Sequence, residues 1–180
     1  MKYSIRAAAP SDARAIAKVA RRTWEVTYTQ SVVTQNREQF LERAYALQEL
    51  RETIMQARGW FYVAAHAETV VGFSQFLRRF DAQGELVRIY IHPEHQRRGI
   101  GRAFLSTGLA AMAERGINLC YVSVEVNNTA ARAFYERFGF LLSREYGRFF
   151  GDQIIRLVEY SAPVASLLGA LNLPERPEGN

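Results

Sequence analysis

The chain has 180 residues, 48% of them hydrophobic, and 23 Lys and Arg against 18 Asp and Glu give a formal charge of +5. That length suits one compact domain with a sizeable core and excludes a second full one; the arginines come in short pairs such as Arg21-Arg22 and Arg97-Arg98, which argues against a nucleic-acid track. One cysteine, Cys120, excludes an intrachain disulfide, and no apolar run approaches membrane-spanning length, so a cytoplasmic protein with no membrane or nucleic-acid partner is expected.

Tyr3 to Arg6 reads as a first strand, and Pro10-Ser11-Asp12 as the cap of a helix that buries Ala13, Ile16, Ala17 and Ala20 and runs to about Trp24. Trp24, Tyr28 and the segment to Val33 form an aromatic stretch, read as core in preference to one wall of a substrate cleft. A second helical region is expected from Asn36 to Arg58, with a stripe at Leu47, Leu50, Ile54 and Ala57 and a stop at Gly59. Trp60 to Ala65 and Val70 to Phe76 should pair as a hairpin around Glu68-Thr69, and Asp81 to Gly84 is the next turn.

From Glu85 to Leu105 the chain passes from a β-branched, aromatic segment through a Pro-marked loop into a helical apolar pattern at Ile100, Phe104, Leu105, Leu109 and Met112. Leu119 to Val126 reads as a strand covered on both faces, parallel to its predecessor because a helix joins them, with Cys120 as an inert buried thiol. Asn127-Asn128 caps another helix with Ala131, Phe134, Tyr135 and Phe138 on one face and Gly139 past its end. Phe140 to Tyr146 and Asp152 to Tyr160 are two closing strands around a loop from Gly147 to Gly151. One domain is expected over residues 1–160, followed by a tail over 161–180 whose apolar patch at Val164, Leu167 and Leu168 docks on the body or on a second copy.

The loop between the strand ending at Ile91 and the helix beginning near Ile100 has the makings of an anion site. Gly99 and Gly101 let the backbone approach a ligand closely, and the first turn of a helix has unpaired donors at the positive end of its dipole. Arg97, Arg98 and Arg102 add positive charge. The loop lacks the Gly-Lys-Ser/Thr of a Walker A sequence and the three-glycine dinucleotide spacing; a Gly-x-Gly alone is as compatible with a tight connection that binds nothing. His92 and His95 flank Pro93 without a metal-ligand spacing, so no metal is expected.

Two loci combine. Gln96-Arg97-Arg98-Gly99-Ile100-Gly101 at a strand-to-helix junction is followed, after one helix and one strand, by Asn128-x-x-Ala131-x-x-Phe134-Tyr135-x-x-x-Gly139-Phe140. This pair of motifs resembles the GNAT superfamily of N-acetyltransferases, over essentially Ile5 to Tyr160. The resemblance implies a mixed α/β fold: a central, mostly antiparallel twisted sheet with one parallel, splayed strand pair, flanked by helices. It implies acetyl-coenzyme A as cosubstrate, with the pantetheine between the parted strands and the pyrophosphate on the amides from Arg97 to Arg102. Ile89, Tyr90, Ile91, Gln96, Arg97, Arg98, Gly99, Ile100, Gly101, Arg102, Asn128, Ala131, Phe134 and Tyr135 are the positions it marks for the coenzyme, with Arg132 a further candidate for the ribose phosphate. A homodimer is compatible with family habit.

The implied reaction is acetyl transfer to a primary amine of a small molecule, polyamine-like or other, by direct attack in a ternary complex. A protein or peptide N-acetyltransferase and a non-catalytic acyl-coenzyme A sensor are the alternatives. An alkylammonium with a pKa near 10.4 must lose its proton, which costs about 4 to 5 kcal/mol at neutrality. Glu85, upstream of the glycine loop, is the candidate base by spacing; a rim carboxylate or a solvated strand end explains it too. Tyr135 resembles the family's general acid for the departing thiolate, and otherwise reads as a core aromatic. Asn128 is accounted for by its cap alone, so its role toward pantetheine rests on the resemblance.

Overall fold

The computed structural model describes residues 2–28, 31–56 and 58–172. Seven strands, β1 (Tyr3–Ala7), β2 (Gly59–His66), β3 (Thr69–Arg78), β4 (Gln83–Ile91), β5 (Leu119–Glu125), β6 (Leu141–Phe150) and β7 (Gln153–Pro163), form one sheet in the order β1-β2-β3-β4-β5-β7-β6. Helices α1 (Ala13–Thr27), α2 (Thr34–Ala44) and α3 (Leu47–Met55) belong to the first half, and α4 (Ile100–Glu114), α5 (Thr129–Arg137) and α6 (Val164–Asn172) to the second. Every strand pairing is antiparallel except β4 with β5. The expected mixed fold is the one observed.

Alternation along the strands sends side chains to two cores. On one face Phe76, Leu105, Leu109, Met112, Val122 and Tyr160 pack with α4 and α5. On the other Ile16, Ala20, Trp24, Leu50 and Phe73 pack beneath the first three helices.

One irregularity shapes everything that follows. Phe76 of β3 faces Leu86 while its neighbour Gln75 faces Arg88, so Val87 has no opposite residue. Such a bulge bends its strand and reverses the alternation beyond it. Leu86 and Ile89, three apart, accordingly both face the core that contains α4. The parallel ladder runs from Gln83 opposite Leu119 to Leu86 opposite Val122 and ends there. Beyond it β4 continues to Ile91 and β5 to Glu125 as two parted strands.

The structure corrects several boundaries. The region expected as one helix from Asn36 is two, broken at Tyr45 and Ala46, and the second ends at Met55, while Gly59 opens β2. Leu41 and Leu50 are both buried; nine residues apart on one helix they would face opposite ways, so burying both requires the break. Ala57 of the expected stripe lies outside the described residues. The first helix extends to Thr27, and the hairpin turn falls on Ala67 and Glu68, with Ala67 at φ 53°. Gly147 to Phe150 is strand rather than loop, because Gly147 pairs with Arg156 and only Gly151 and Asp152 make the turn. The apolar patch after Ser161 forms α6, which packs on α4 with Val164, Leu167 and Leu171 buried; the polar end from 173 onward lies outside the described residues.

Contact between α4 and the sheet depends on Gly108. A Cβ there would lie 2.2 Å from the buried Phe76 ring. Gly108→Ala is therefore expected to destabilise the fold by about 1–3 kcal/mol through overpacking, outweighing the roughly 1 kcal/mol helix-propensity gain. The check is a lower urea midpoint at unchanged m value.

Candidate active site

The chain leaves β4 through a short 3₁₀ turn at Pro93–His95 and enters α4 by two residues in the left-handed region, Arg97 at φ 59° and Gly99 at φ 79°. Gly99 is the N-cap and no side chain caps the helix, so its leading amides are presented outward beside the parted strands. Gly101 serves a different need. A Cβ on it would come 3.0 Å from the Phe134 ring, so the missing side chain lets α5 sit close against the first turn of α4 without that ring having to shift.

The arginines around this loop are partly engaged. Arg98 donates from Nη1 to the Tyr3 hydroxyl at 3.3 Å, and Arg102 from Nη2 to the Leu171 carbonyl at 2.5 Å, where it holds the last turn of α6. Arg132 donates to the Tyr160 hydroxyl at 3.0 Å and to the Val126 carbonyl at 3.1 Å. Gln96 donates to the Ile91 carbonyl at 3.0 Å. Asn128 caps α5, its side-chain oxygen accepting from the Ala131 amide at 3.1 Å, which brings Ala131, Phe134 and Tyr135 to the same end of the gap. The fold also brings His66 to the loop: its ring centroid lies 5.8 Å from that of His95, which is in turn 5.9 Å from that of His92.

Tyr135 is buried, with its ring edge-on to Phe134 and Phe140. Burial chiefly, then the neighbouring Tyr90 and Cys120, raise its pKa well above the ordinary phenol value. The phenol thus sits within electrostatic reach of both parted strands and stays protonated. Burial also pushes the Cys120 thiol up to about 12, so it is no nucleophile at neutral pH.

Glu85 lies on the paired part of β4 and its carboxylate accepts from Arg79 Nε at 2.9 Å. Arg79 also donates to Glu159 at 3.1 Å, and Glu159 accepts from Arg144 at 2.9 Å. Burial disfavours the Glu159 charge, yet these two arginines more than offset it and lower its pKa. Glu85 is one member of this neutralised set, about 13 Å along the strand from Ile89. Glu125 is placed differently. It ends β5 and, continuing the register across the gap past the bulge, stands level with Ile89 and Tyr90. Only 7% exposed, it has an Asn127 amide at 2.9 Å and, among the described residues, no arginine partner.

A cavity of about 400 Å³ opens on this face, with Glu85, Glu125, Ser123 and Tyr90 on its floor. Its walls are aromatic: Trp24, Tyr28 and Phe40 on one side, Tyr146, Phe149 and Phe150 on the other. Trp24 is therefore both core, at 6% exposed, and cleft wall. Asn36 donates to Asp152 at 2.7 Å and the Val33 amide donates to Gln153 at 2.7 Å, tying the start of α2 to the β6–β7 turn and closing the cavity's outer end. Tyr28 and Tyr90 of this lining form a cluster of phenols with Tyr45, each raised in pKa primarily by burial.

Sequence reasoning missed Glu125. The available signal was a lone carboxylate in a segment otherwise made of β-formers, three residues before the Asn128 cap. It also missed Arg43 and Arg148, which lie on the cavity lining.

The model of the family described as the acetyltransferase (GNAT) family matches residues 16–140. Spermidine N(1)-acetyltransferase of Thermoplasma acidophilum is 27% identical over 144 residues, covering 78% of this chain and 89% of that protein. In fold the chain resembles the PaiA N-acetyltransferase of Thermoplasma acidophilum, solved in complex with coenzyme A, with a TM-score of 0.78, 24% identity and coverage of 88% and 98% of the two chains. An N-acetyltransferase from Staphylococcus aureus gives a TM-score of 0.70 at 18% identity, covering 91% of this chain and 99% of that one. Among the described residues no helix is long and apolar enough to cross a membrane. With the family match spanning the glycine loop, the parted strands and the Asn128 to Phe140 motif, this chain belongs to the GNAT acetyltransferase family.

Proposed function

We propose that the chain transfers the acetyl group of acetyl-coenzyme A to a primary amine of a small molecule, by direct attack within a ternary complex. The cosubstrate follows from family membership. What carries the finer reading is the single opening formed where β4 and β5 part: it has uncapped helix amides at one end and leads to an aromatic cavity with a buried carboxylate at the other.

Residues 97–102 supply main-chain donors for the pyrophosphate, and the edge of β4 from Ile89 to Ile91 supplies groups that no strand takes up on the β5 side. The acyl thioester supplies the electrophilic carbonyl. Glu125 accepts the ammonium of the incoming amine and takes its proton, directly or through water, because it is the carboxylate at the level of the gap and, among the described residues, carries no arginine partner. Glu85 shapes the field of the cavity and stays paired with Arg79. Tyr135 faces the departing sulfur. Its raised pKa makes full proton transfer to a thiolate of pKa near 8.5 strongly uphill, so the phenol stabilises the developing charge as a hydrogen-bond donor.

The test is to mix the purified chain with acetyl-coenzyme A and a panel of amines and follow free thiol. Thiol release that depends on the amine, with stoichiometric N-acetyl product, is expected. Coenzyme binding without turnover of any polyamine, amino acid, ω-amino acid, simple alkylamine or peptide would instead mark an acyl-coenzyme A sensor.

A further inference from the structure

The acceptor cavity is two-ended in charge. At the inner end Glu85 is neutralised by Arg79, which leaves Glu125 as one uncompensated carboxylate, the match for one ammonium. Towards the outer end Arg148, from β6, lies on the lining; Arg43, in the last turn of α2, is also on the lining but at the far end of that helix from Asn36. Both are exposed, and among the described residues neither makes an ion pair or a hydrogen bond through its guanidinium. A cation in the last turn of a helix is favourable in any case, which accounts for Arg43; Arg148 is exposed on the edge strand β6, where a charge discourages strand pairing, and its bearing on the acceptor rests on its place on the cavity lining.

The sheet register spaces the two ends. Glu125 stands opposite Leu157, and Leu157 opposite Tyr146, on one face of the sheet; Arg148 is two residues further along β6. Glu125 and Arg148 are thus separated by about 10 Å across two strands and about 7 Å along them. By this register Leu157 and Ile155, both on the lining, share that face between the two levels and offer an apolar body no polar partner.

The geometry points to an acceptor that carries a carboxylate at the end remote from its reacting amine: an ω-amino acid rather than a polyamine. This inference rests on the acetyl-transfer reading and specifies its acceptor. A polyamine would bring its remaining ammonium groups toward the Arg148 guanidinium. An α-amino acid would place its charges too close together to reach both ends.

The experiment compares 6-aminohexanoate, hexylamine and spermidine as acceptors, with thiol release as the readout. A kcat/KM at least tenfold higher for 6-aminohexanoate than for hexylamine is expected, with spermidine poorest. Replacing both arginines, Arg43→Gln with Arg148→Gln, should bring the first ratio close to one, mainly by raising KM for the acid. Arg148→Glu should move the preference toward spermidine, a gain that a misfolded variant would not show. Equal turnover of the acid and hexylamine, a preference for spermidine, or a ratio that survives the double replacement would overturn the proposal while leaving acetyl transfer intact. Silence with every amine would overturn both.

Discussion

Glu125→Gln is expected to lower kcat/KM for the acceptor by about 10²- to 10³-fold, the span of a lost general base, while Glu85→Gln costs no more than a few-fold. The contrast follows from placement. Glu125 ends β5 level with Ile89 and Tyr90 across the parted strands, buried and, among the described residues, with only an Asn127 amide as its side-chain partner. Glu85 lies on the paired stretch and is already held by Arg79, which retains Glu159 when Glu85 is replaced. Glutamine keeps the shape and an oxygen that can still accept from Asn127, so the fold should survive. The loss should shrink as pH rises toward the pKa of the amine, because less proton removal is then left for the carboxylate to assist. Steady-state kinetics from pH 7 to 9.5 on both variants would check it. Equal losses for the two, or a larger loss for Glu85→Gln, would move the proton-accepting role back to the paired carboxylate.

Tyr135→Phe is expected to lower kcat by about 10²-fold with KM for acetyl-coenzyme A unchanged within about twofold, the signature of an interaction made mainly in the transition state. The ring packs against Phe134 and Phe140, and phenylalanine keeps that packing, so thermal stability should change little. The pH dependence separates two roles. Burial, seconded by Tyr90 and Cys120, raises the native pKa of the phenol, so it remains protonated through the usual assay range. An alkaline limb in the wild-type rate profile should therefore persist in Tyr135→Phe at lower amplitude. If the limb disappears with the hydroxyl, the phenol titrates and transfers its proton outright. If kcat is unchanged, Tyr135 is a core aromatic and nothing more.

Much of the fold was legible because its signals are local. The strand, loop and helix from Glu85 to Leu105, the Asn128 cap and the helical face of Ala131, Phe134 and Tyr135 each lie within a short window, where backbone conformation and period announce themselves. The glycines at 99 and 101 could be read as a close-approach loop, and the structure gives each a distinct reason, a left-handed N-cap for one and the Phe134 ring for the other. The break at Tyr45 was not legible, since both halves have helical composition and only the shared burial of Leu41 and Leu50 forces it.

By itself the sequence determined the order of elements, the parallel crossover between β4 and β5 and the anion-ready start of α4, because these depend on neighbours along the chain. Which carboxylate stands at the gap was decided by tertiary structure. The bulge at Val87 reverses side-chain direction within one strand, and interstrand register ties Glu125 to residues about 35 positions away. The cavity's arginines were equally out of reach, since α2 and β6 are far apart in the chain and only the tertiary fold puts both on one cavity, and no local pattern encodes which of many surface arginines will lack a partner.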